Sequence, residues 1–172
     1  VKAFDSIGQI VEAGVDALVI STTLKGRPAL VLEAIEHGVA VVSDKPFAAN
    51  AEQAQVLITA AERHGVLLSV YQNRRWDSDF LTLRKLIDAG ALGAVTRFES
   101  CVERFSPQAV GNASGGGWLR DLGSHLVDQA LQLFGPVDRV FAQLHYSAEH
   151  PSVDHGFFVA LTHRNGDRKS VV

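Results

Sequence analysis

The stretch Asp16–Phe47, DALVISTTLKGRPALVLEAIEHGVAVVSDKPF, contains two short apolar runs with a helical pattern between them. The apolar runs predict strands over Ala17–Ile20 and Val39–Val42. Pro28 suits the first turn of the intervening helix, and His37-Gly38 suits its end, because glycine adopts the left-handed cap conformation without strain. This strand–helix–strand unit predicts two parallel strands covered by a helix.

The alternation continues on both sides of this stretch. A short helix is predicted over Ile7–Ala13, and a longer helix and a third strand over Glu52–His64 and Val66–Tyr71. Beyond Trp76 the predicted strands become longer. Two helices are predicted, at Phe80–Ala89 and Leu122–Phe134, and a glycine-rich loop at Gly111–Gly117. The predicted strands are Val95–Phe105, Val137–Tyr146, Phe157–His163 and Lys169–Val172, and the hairpin dipeptide Asn165-Gly166 joins the last two. We therefore predict an α/β fold in which residues 1–75 form half of a doubly wound parallel domain and residues 76–172 begin an α+β domain with antiparallel strands.

Composition argues against several classes of protein. Charged residues make up 20% of the 172 residues and the formal net charge is −3, which favours neither a nucleic-acid partner nor a membrane surface. No apolar run approaches the roughly 20 residues that span a bilayer, and no signal-peptide pattern is present. The single cysteine, Cys101, excludes an internal disulfide and fits a reducing compartment. These features predict a soluble, cytoplasmic protein.

We expect the chain to be one part of a longer protein. It contains no methionine, and its last residues, Ser170–Val172, have the pattern of the middle of a strand. Because an unpaired strand end is prone to aggregate, further chain is expected to follow in the natural protein.

Asp44-Lys45-Pro46 directly follows a predicted buried strand. Ligands of open α/β sheets bind at the carboxyl ends of the strands, so this charged triplet is a candidate site. The alternative is a surface turn with Pro46 as a rigid corner, and the triplet taken alone favours that alternative.

A second group of polar residues, Asp121 and His125, lies at the start of a predicted helix. The i, i+4 spacing places both side chains on one helix face, with Asp128 nearby. The alternative makes Asp121 an ordinary N-cap and His125 a hydrogen-bonded core histidine, and the two interpretations are equally supported by this segment alone.

A lysine, a histidine and a carboxylate together suit the oxidation of an alcohol by hydride transfer. As hydride leaves the carbon, the hydroxyl must lose its proton to a base, and histidine titrates in the right range. A nearby ammonium group stabilises the alkoxide that develops. The same groups protonate a carbonyl oxygen in the reverse direction.

The order of four motifs along the chain resembles that of the Gfo/Idh/MocA oxidoreductases, relatives of glucose–fructose oxidoreductase and inositol dehydrogenase. The motifs are Asp16–Thr22 (DALVIST), Asp44–Pro46 (DKP), Asn73–Trp76 (NRRW) and Asp121–His125 (DLGSH). The similarity covers essentially the whole chain, which makes it more specific than any single motif.

The resemblance implies an N-terminal Rossmann domain that binds NAD or NADP and a C-terminal α/β domain whose open sheet mediates homo-oligomers. Residues 1–75 would then be the C-terminal half of the dinucleotide-binding domain, and 76–172 the N-terminal part of the substrate domain. The substrate class is a sugar, cyclitol or related polyol. The implied catalytic residues are Lys45, Asp121 and His125, with His125 as acid/base, and the implied cofactor-binding residues are Ser21, Thr22, Leu24, Asp44, Lys45, Asn73 and Arg75.

Several features depart from the family pattern. Asp44 stands where glutamate is usual, Thr23 where proline is common and Arg27 where histidine is common. No strand followed by G-x-G-x-x-G is present, so we expect this chain alone to be inactive. The acidic or basic residue that distinguishes NAD from NADP is missing from it too. For Arg75 an ion pair that braces its loop is favoured over a phosphate contact.

Three further expectations complete the sequence-based hypothesis. The histidines near the end of the chain lack metal-ligand spacing, so no metal is expected. A non-catalytic sensor of cofactor or sugar on the same fold is the alternative function, and the presence of both Lys45 and His125 counts against it. The predicted substrate-specificity loop is Pro107–Gly117.

Overall fold

A computed structural model describes residues 2–103, 116–146, 148–164 and 169–171, and the chain divides into two units, residues 1–71 and 72–172. The division follows Tyr71, whereas the predicted domain boundary follows Arg75. Most of the predicted specificity loop and the turn Asn165-Gly166 lie outside the described residues.

The first unit is built on three parallel strands, in the order β1-β2-β3. The strands are β1 (Ala17–Ile20), β2 (Ala40–Asp44) and β3 (Leu68–Tyr71), and the helices are α1 (Ile7–Glu12), α2 (Arg27–Glu36) and α3 (Ala51–His64). Ile20 pairs with Ser43, and Asp44 pairs with Tyr71. The carboxyl ends of all three strands therefore lie at one edge of the sheet. This arrangement confirms the predicted partial doubly wound fold.

Local sequence accounts for the ends of these helices. The side chain of Asn50 caps α3 by accepting a hydrogen bond from the Gln53 amide at 2.8 Å. Gly65 ends the same helix in the left-handed conformation with φ of 65°, and Gly38 takes φ of 74° just after α2. Both His-Gly pairs thus end helices as predicted, because glycine pays no steric penalty at positive φ.

The core of the first unit lies between the sheet and the helices α2 and α3. Its buried members come from β1, β2, α2 and α3, and are Ile20, Val31, Ala34, Ile35, Val41, Leu57 and Ala61. Val31 and Ile35 are four residues apart on α2 and form its inward face. Hydrophobic burial on this stripe holds α2, and with it the loop before α2, against the strand ends.

Ile35→Ala tests this core. Removal of three buried carbon atoms is expected to lower the free energy of unfolding by about 2–5 kcal/mol, because the surrounding side chains cannot fill the cavity. Ile58→Ala on the partly exposed face of α3 is the matched control and should cost far less. Urea unfolding measures both, and equal destabilisation by the two variants would contradict the assignment of the core.

The second unit contains a four-stranded sheet in the order β4-β7-β6-β5. Its strands are β4 (Arg97–Glu99), β5 (Val137–Tyr146), β6 (Asp154–His163) and β7 (Lys169–Val171), and its α-helices are α4 (Ser78–Asp88) and α5 (Ser124–Phe134). β6 pairs with β5 and with β7 in antiparallel orientation, as predicted, whereas β4 pairs with β7 in parallel. The sheet is therefore mixed.

The predicted strand Val95–Phe105 is wrong in length. Within the described residues only Arg97–Glu99 form a strand, and 101–103 are irregular. β4 lies at one end of the sheet in the described residues and pairs with β7 over Arg97–Glu99. The apolar pattern therefore overestimates the strand, because apolar residues outside a sheet pairing show the same pattern.

α5 covers one face of this sheet. Leu126 and Ala130 of α5 pack against Val159 and Leu161 of β6 in a buried cluster. The opposite face carries Phe141 and Phe158, whose rings meet edge to face with centroids 6.3 Å apart and whose side chains are 61% and 41% exposed. Among the helices of the described ranges, none has the length and apolar character that a membrane crossing requires.

Candidate active site

The Asp44 carboxylate links two of the strand-end loops of the first unit. Its Oδ2 accepts a hydrogen bond from Ser21 Oγ at 2.9 Å, and its Oδ1 accepts one from the Lys45 amide at 2.8 Å. Ser21 follows β1, and Lys45 follows β2. The loop after β1 and the loop after β2 are thus joined beside Lys45, and the Lys45–Pro46 peptide bond is cis.

Arg27 lies beneath these loops and is only 4% exposed. Its Nη1 donates to the carbonyl oxygens of Asp44, at 2.8 Å, and Pro46, at 2.5 Å, and its Nη2 donates to that of Thr22. Burial lowers the pKa of Arg27, and the Asp44 carboxylate opposes this effect. The guanidinium therefore holds both loops through their backbones.

The other predicted cofactor residues differ in how they are placed. Ser21 and Thr22 are exposed at the sheet edge, and Asn73 is exposed in a 3-10 turn that spans Asn73–Trp76. Leu24 is 8% exposed, so its side chain packs inside the first unit. Of the predicted set, the structure brings Ser21, Asp44 and Lys45 together in one hydrogen-bonded network.

In the second unit, Asp121 lies inside a helical segment. A π-helical turn, Leu119–Gly123, runs directly into α5, and the Asp121 amide donates to the Gly117 carbonyl at 3.1 Å. The interpretation of Asp121 as an N-cap is therefore wrong, and the helix begins earlier than the predicted Leu122. Short π-helical turns within α-helices are frequent at functional sites.

The reason for the early start is a buried carboxylate from another element. Asp154, the first residue of β6, is 3% exposed, and its Oδ2 accepts a hydrogen bond from the Leu119 amide at 2.8 Å. This bond satisfies one of the amides that a helix start leaves unpaired. The negative charge also interacts favourably with the helix N-terminus.

Glycines allow this helix start to approach β6 closely. A Cβ at Gly117, where φ is 98°, would lie 1.9 Å from Asp154 Oδ1, and a Cβ at Gly123 would lie 2.9 Å from Phe157 Cζ. Both distances are shorter than the closest approach that a Cβ atom makes to a non-bonded heavy atom. The end of the predicted glycine-rich loop thus has a packing function next to the segment that carries Asp121 and His125.

His125 occupies the first turn of α5 and is 4% exposed. Burial is compatible with both sequence-based interpretations, a core histidine and a catalytic base. Leu126 and Ala130 pack against β6 and thereby fix the orientation of the helix that carries His125.

Arg75 pairs with Asp128 of α5. Its Nε donates to Asp128 Oδ2 at 2.7 Å and its Nη2 to Oδ1 at 2.5 Å, a two-point contact. The hydrogen bond to Asp128 raises the pKa of Arg75. Gln129 Nε2 also donates to the Arg74 carbonyl at 3.1 Å. The 3-10 turn is thereby fastened to the helix that carries His125, and the expected ion pair of Arg75 is confirmed.

A double-mutant cycle tests this contact. Arg75→Met and Asp128→Asn, alone and together, should give a coupling energy of about 1–2 kcal/mol, because the carboxylate is largely buried and the contact has two points. Arg74 and Asp77 form a matched control pair, 3.5 Å apart with both side chains more than 40% exposed, for which about 0.5 kcal/mol or less is expected. Thermal unfolding measures both cycles. Equal coupling energies for the two pairs would contradict the proposal that the Arg75–Asp128 contact fastens the 3-10 turn to α5.

Sequence reasoning gave Arg27 no role in this architecture and missed Asp154 altogether. The sequence marked Arg27 only as a departure from the family pattern, because arginine is seldom buried and two of its three carbonyl partners are 17 and 19 residues away. Nothing in the sequence around Asp154 distinguishes it from an exposed aspartate at a strand start. In the described part of the chain, no group of three or more His, Cys, Asp or Glu side chains is arranged to hold a metal ion.

Two family models match this chain. Residues 80–171 match the GFO/IDH/MocA C-terminal domain, and residues 1–72 match the oxidoreductase family with an NAD-binding Rossmann fold. The chain belongs to the GFO/IDH/MocA family. The fold and family implied by the four sequence motifs are therefore confirmed.

Individual relatives agree with this assignment. The scyllo-inositol 2-dehydrogenase (NADP(+)) IolW of Bacillus subtilis is 39% identical over 150 residues, which cover 84% of this chain and 42% of that relative. An oxidoreductase from Bacillus cereus superposes with a TM-score of 0.87 at 27% identity, covering 98% of this chain and 49% of the solved chain. An oxidoreductase from Agrobacterium radiobacter, in complex with NAD+, L-tartaric acid and magnesium, superposes with a TM-score of 0.81 at 26% identity, covering 98% and 50%. The chain thus spans less than half of the curated relative and about half of the solved chains.

Proposed function

We propose that this chain is part of an NAD(P)-dependent dehydrogenase or reductase that acts on a CH–OH group of a sugar, cyclitol or related polyol. The observation that carries the proposal is the network of Ser21, Asp44 and Lys45 at the carboxyl edge of the parallel sheet, where α/β folds bind their ligands. Membership of an oxidoreductase family supports the reaction class. The name of the Bacillus subtilis relative supports the substrate class.

The residues at this edge fit a dinucleotide. Ser21, Thr22 and Thr23 are exposed and uncharged, and their hydroxyl and backbone groups suit ribose hydroxyls and a carboxamide. Asp44, the carboxylate that could repel a phosphate, is engaged by two donors. Among the relatives, one is named for NADP(+) and one solved structure contains NAD+, so either form remains part of the proposal.

When bound, the nicotinamide ring supplies the acceptor or donor of hydride. In the oxidation direction His125 takes the proton of the substrate hydroxyl, since a base is required as the carbon loses hydride. The Lys45 ammonium stabilises the negative charge that develops on that oxygen and orients the hydroxyl. Asp121 positions the substrate and tunes His125. In the reduction direction His125 returns the proton to the carbonyl oxygen.

Turnover of two variants in the full-length polypeptide tests these roles. Lys45→Ala and His125→Ala should each reduce kcat at least about 100-fold, because each removes a group that acts in the transition state. Lys85→Ala and His64→Ala, at exposed positions, should leave kcat within a factor of two. Oxidation of a panel of inositols and sugars with NAD and NADP is followed by absorbance of the reduced cofactor.

Two results would decide against this proposal. Wild-type turnover of both Lys45→Ala and His125→Ala on a responding polyol would remove the assigned roles. Thermal stabilisation by NADH or NADPH without turnover of any polyol would instead identify a cofactor sensor.

We also propose that the protein forms a homo-oligomer through the face of the second unit's sheet that lies opposite α5. Phe141 and Phe158 are exposed there although they form an aromatic pair, and eight of the ten residues of β5 are exposed. Exposed apolar patches of this kind commonly mark protein–protein interfaces. A cytoplasmic location and the absence of nucleic-acid or membrane partners belong to the same proposal, with a net charge of −3 and one unpaired cysteine in support.

Phe141→Glu tests the interface. A charge in the centre of the face should shift the full-length protein to a smaller species by light scattering after gel filtration, because the buried carboxylate would lack a partner. Leu92→Glu is the control, as Leu92 is 49% exposed but outside this sheet. An unchanged molar mass for Phe141→Glu would place the interface elsewhere.

A further inference from the structure

Arg27 is a buried cation whose described hydrogen bonds all go to backbone carbonyls. A guanidinium removed from water is costly unless each donor finds an acceptor. The carbonyl oxygens of Thr22, Asp44 and Pro46 fill this need for Nη1 and Nη2. Burial of this guanidinium costs desolvation free energy that an apolar residue at the same position would not incur. This cost indicates that the hydrogen bonds of Arg27 have a function.

The acceptors flank one residue. Asp44 and Pro46 are the neighbours of Lys45 on either side, and their carbonyls accept from the same nitrogen of Arg27. The Lys45 amide is bound in turn by the Asp44 carboxylate, which Ser21 holds. The peptide group before Lys45 and the peptide group after Pro46 are thus fixed by Arg27, and the Lys45 amide is also held by the Asp44 carboxylate.

We propose that Arg27 is a positioning residue that fixes the backbone of Lys45, and so sets the direction in which its ammonium group leaves the loop. This inference rests on the proposed function of Lys45. The third carbonyl, that of Thr22, ties the same guanidinium to the loop after β1. One side chain therefore sets the spacing between the loop of Lys45 and the loop of Ser21 and Thr22.

Only arginine can make this set of contacts from the first turn of α2. Its planar fork presents donors in two directions, one toward each loop, whereas lysine offers a compact charge and histidine two nitrogens on one small ring. Arg27→Lys keeps the charge and loses the fork, so it separates the charge of Arg27 from its geometry. Arg27→Gln removes the charge as well.

Hydrogen exchange tests the geometry independently of activity. In full-length Arg27→Lys and Arg27→Gln, exchange of the Lys45 amide should accelerate at least about ten-fold, because the loop loses its anchors. Exchange at Val41, whose amide donates to the Leu67 carbonyl within the sheet, should change less than two-fold and reports that the fold is intact. Arg63→Gln, at an exposed position of α3, is the matched control. Unchanged exchange at Lys45 in Arg27→Lys, which preserves charge and should fold even if Arg27→Gln does not, overturns the proposal.

Kinetics test whether the geometry matters for the reaction. Arg27→Lys should lower kcat about 10- to 100-fold, as expected for a small displacement of a reacting group, while KM for the cofactor stays within about two-fold. In a Lys45→Ala background the same change should lower the residual kcat less than two-fold, since Arg27 acts through Lys45. Equal losses in both backgrounds would mean a general structural role and overturn the inference. If Lys45→Ala itself retains full turnover the proposed function fails, whereas full turnover of Arg27→Lys beside an inactive Lys45→Ala refutes the positioning role alone.

Discussion

The parallel pairing of β2 with both of its neighbours is the constraint on which the first unit depends. Because Ile20 lies opposite Ser43 and Asp44 opposite Tyr71, the residues that follow β1 and β2 leave the sheet at the same edge. Polar groups separated by more than twenty residues in sequence, such as Ser21 and Asp44, then meet within hydrogen-bonding distance. The apolar stripe of α2 holds this sheet from one face, and the start of the same helix supplies Arg27. Core packing and site geometry are therefore set by one helix.

In each unit a buried ionisable side chain forms hydrogen bonds with backbone groups. Arg27 donates to carbonyl oxygens around Lys45, and Asp154 accepts from the Leu119 amide at the start of the helical segment that contains Asp121. In both cases the hydrogen-bond partners are backbone groups next to a proposed catalytic segment. Arg75 and Asp128 differ, because they form a true ion pair that fastens one element to another.

Patterns local in sequence predicted most of the fold. The limits of β5 agree with the prediction at both ends, and α3 differs by one residue, because alternating or helical apolar spacing and the Asn50 and Gly65 caps lie within a few residues of each other. Failures occurred where the deciding partner is remote. Asp121 is not an N-cap because Asp154, 35 residues after Leu119, binds the helix start. Arg27 is buried against three carbonyls, and two of them, those of Asp44 and Pro46, are 17 and 19 residues away. The order of the motifs identified Lys45 and His125 as candidate residues. The groups that hold them could be identified only from the structure.

The groups that hold each proposed catalytic segment lie in the same unit as that segment. Lys45 is fixed by Ser21, Arg27 and Asp44 of the first unit, and the segment with Asp121 and His125 is fixed by Asp154, Gly117 and the α5–β6 core of the second. Each proposed catalytic group is therefore oriented by elements of its own unit, through backbone contacts that do not involve substrate. Arg27 and Asp44 both stand where the family pattern has another residue, and they contact each other. Arg27 binds the backbone carbonyl of residue 44, so this contact does not depend on the side chain at that position, whereas the hydrogen bond from Ser21 requires the Asp44 carboxylate.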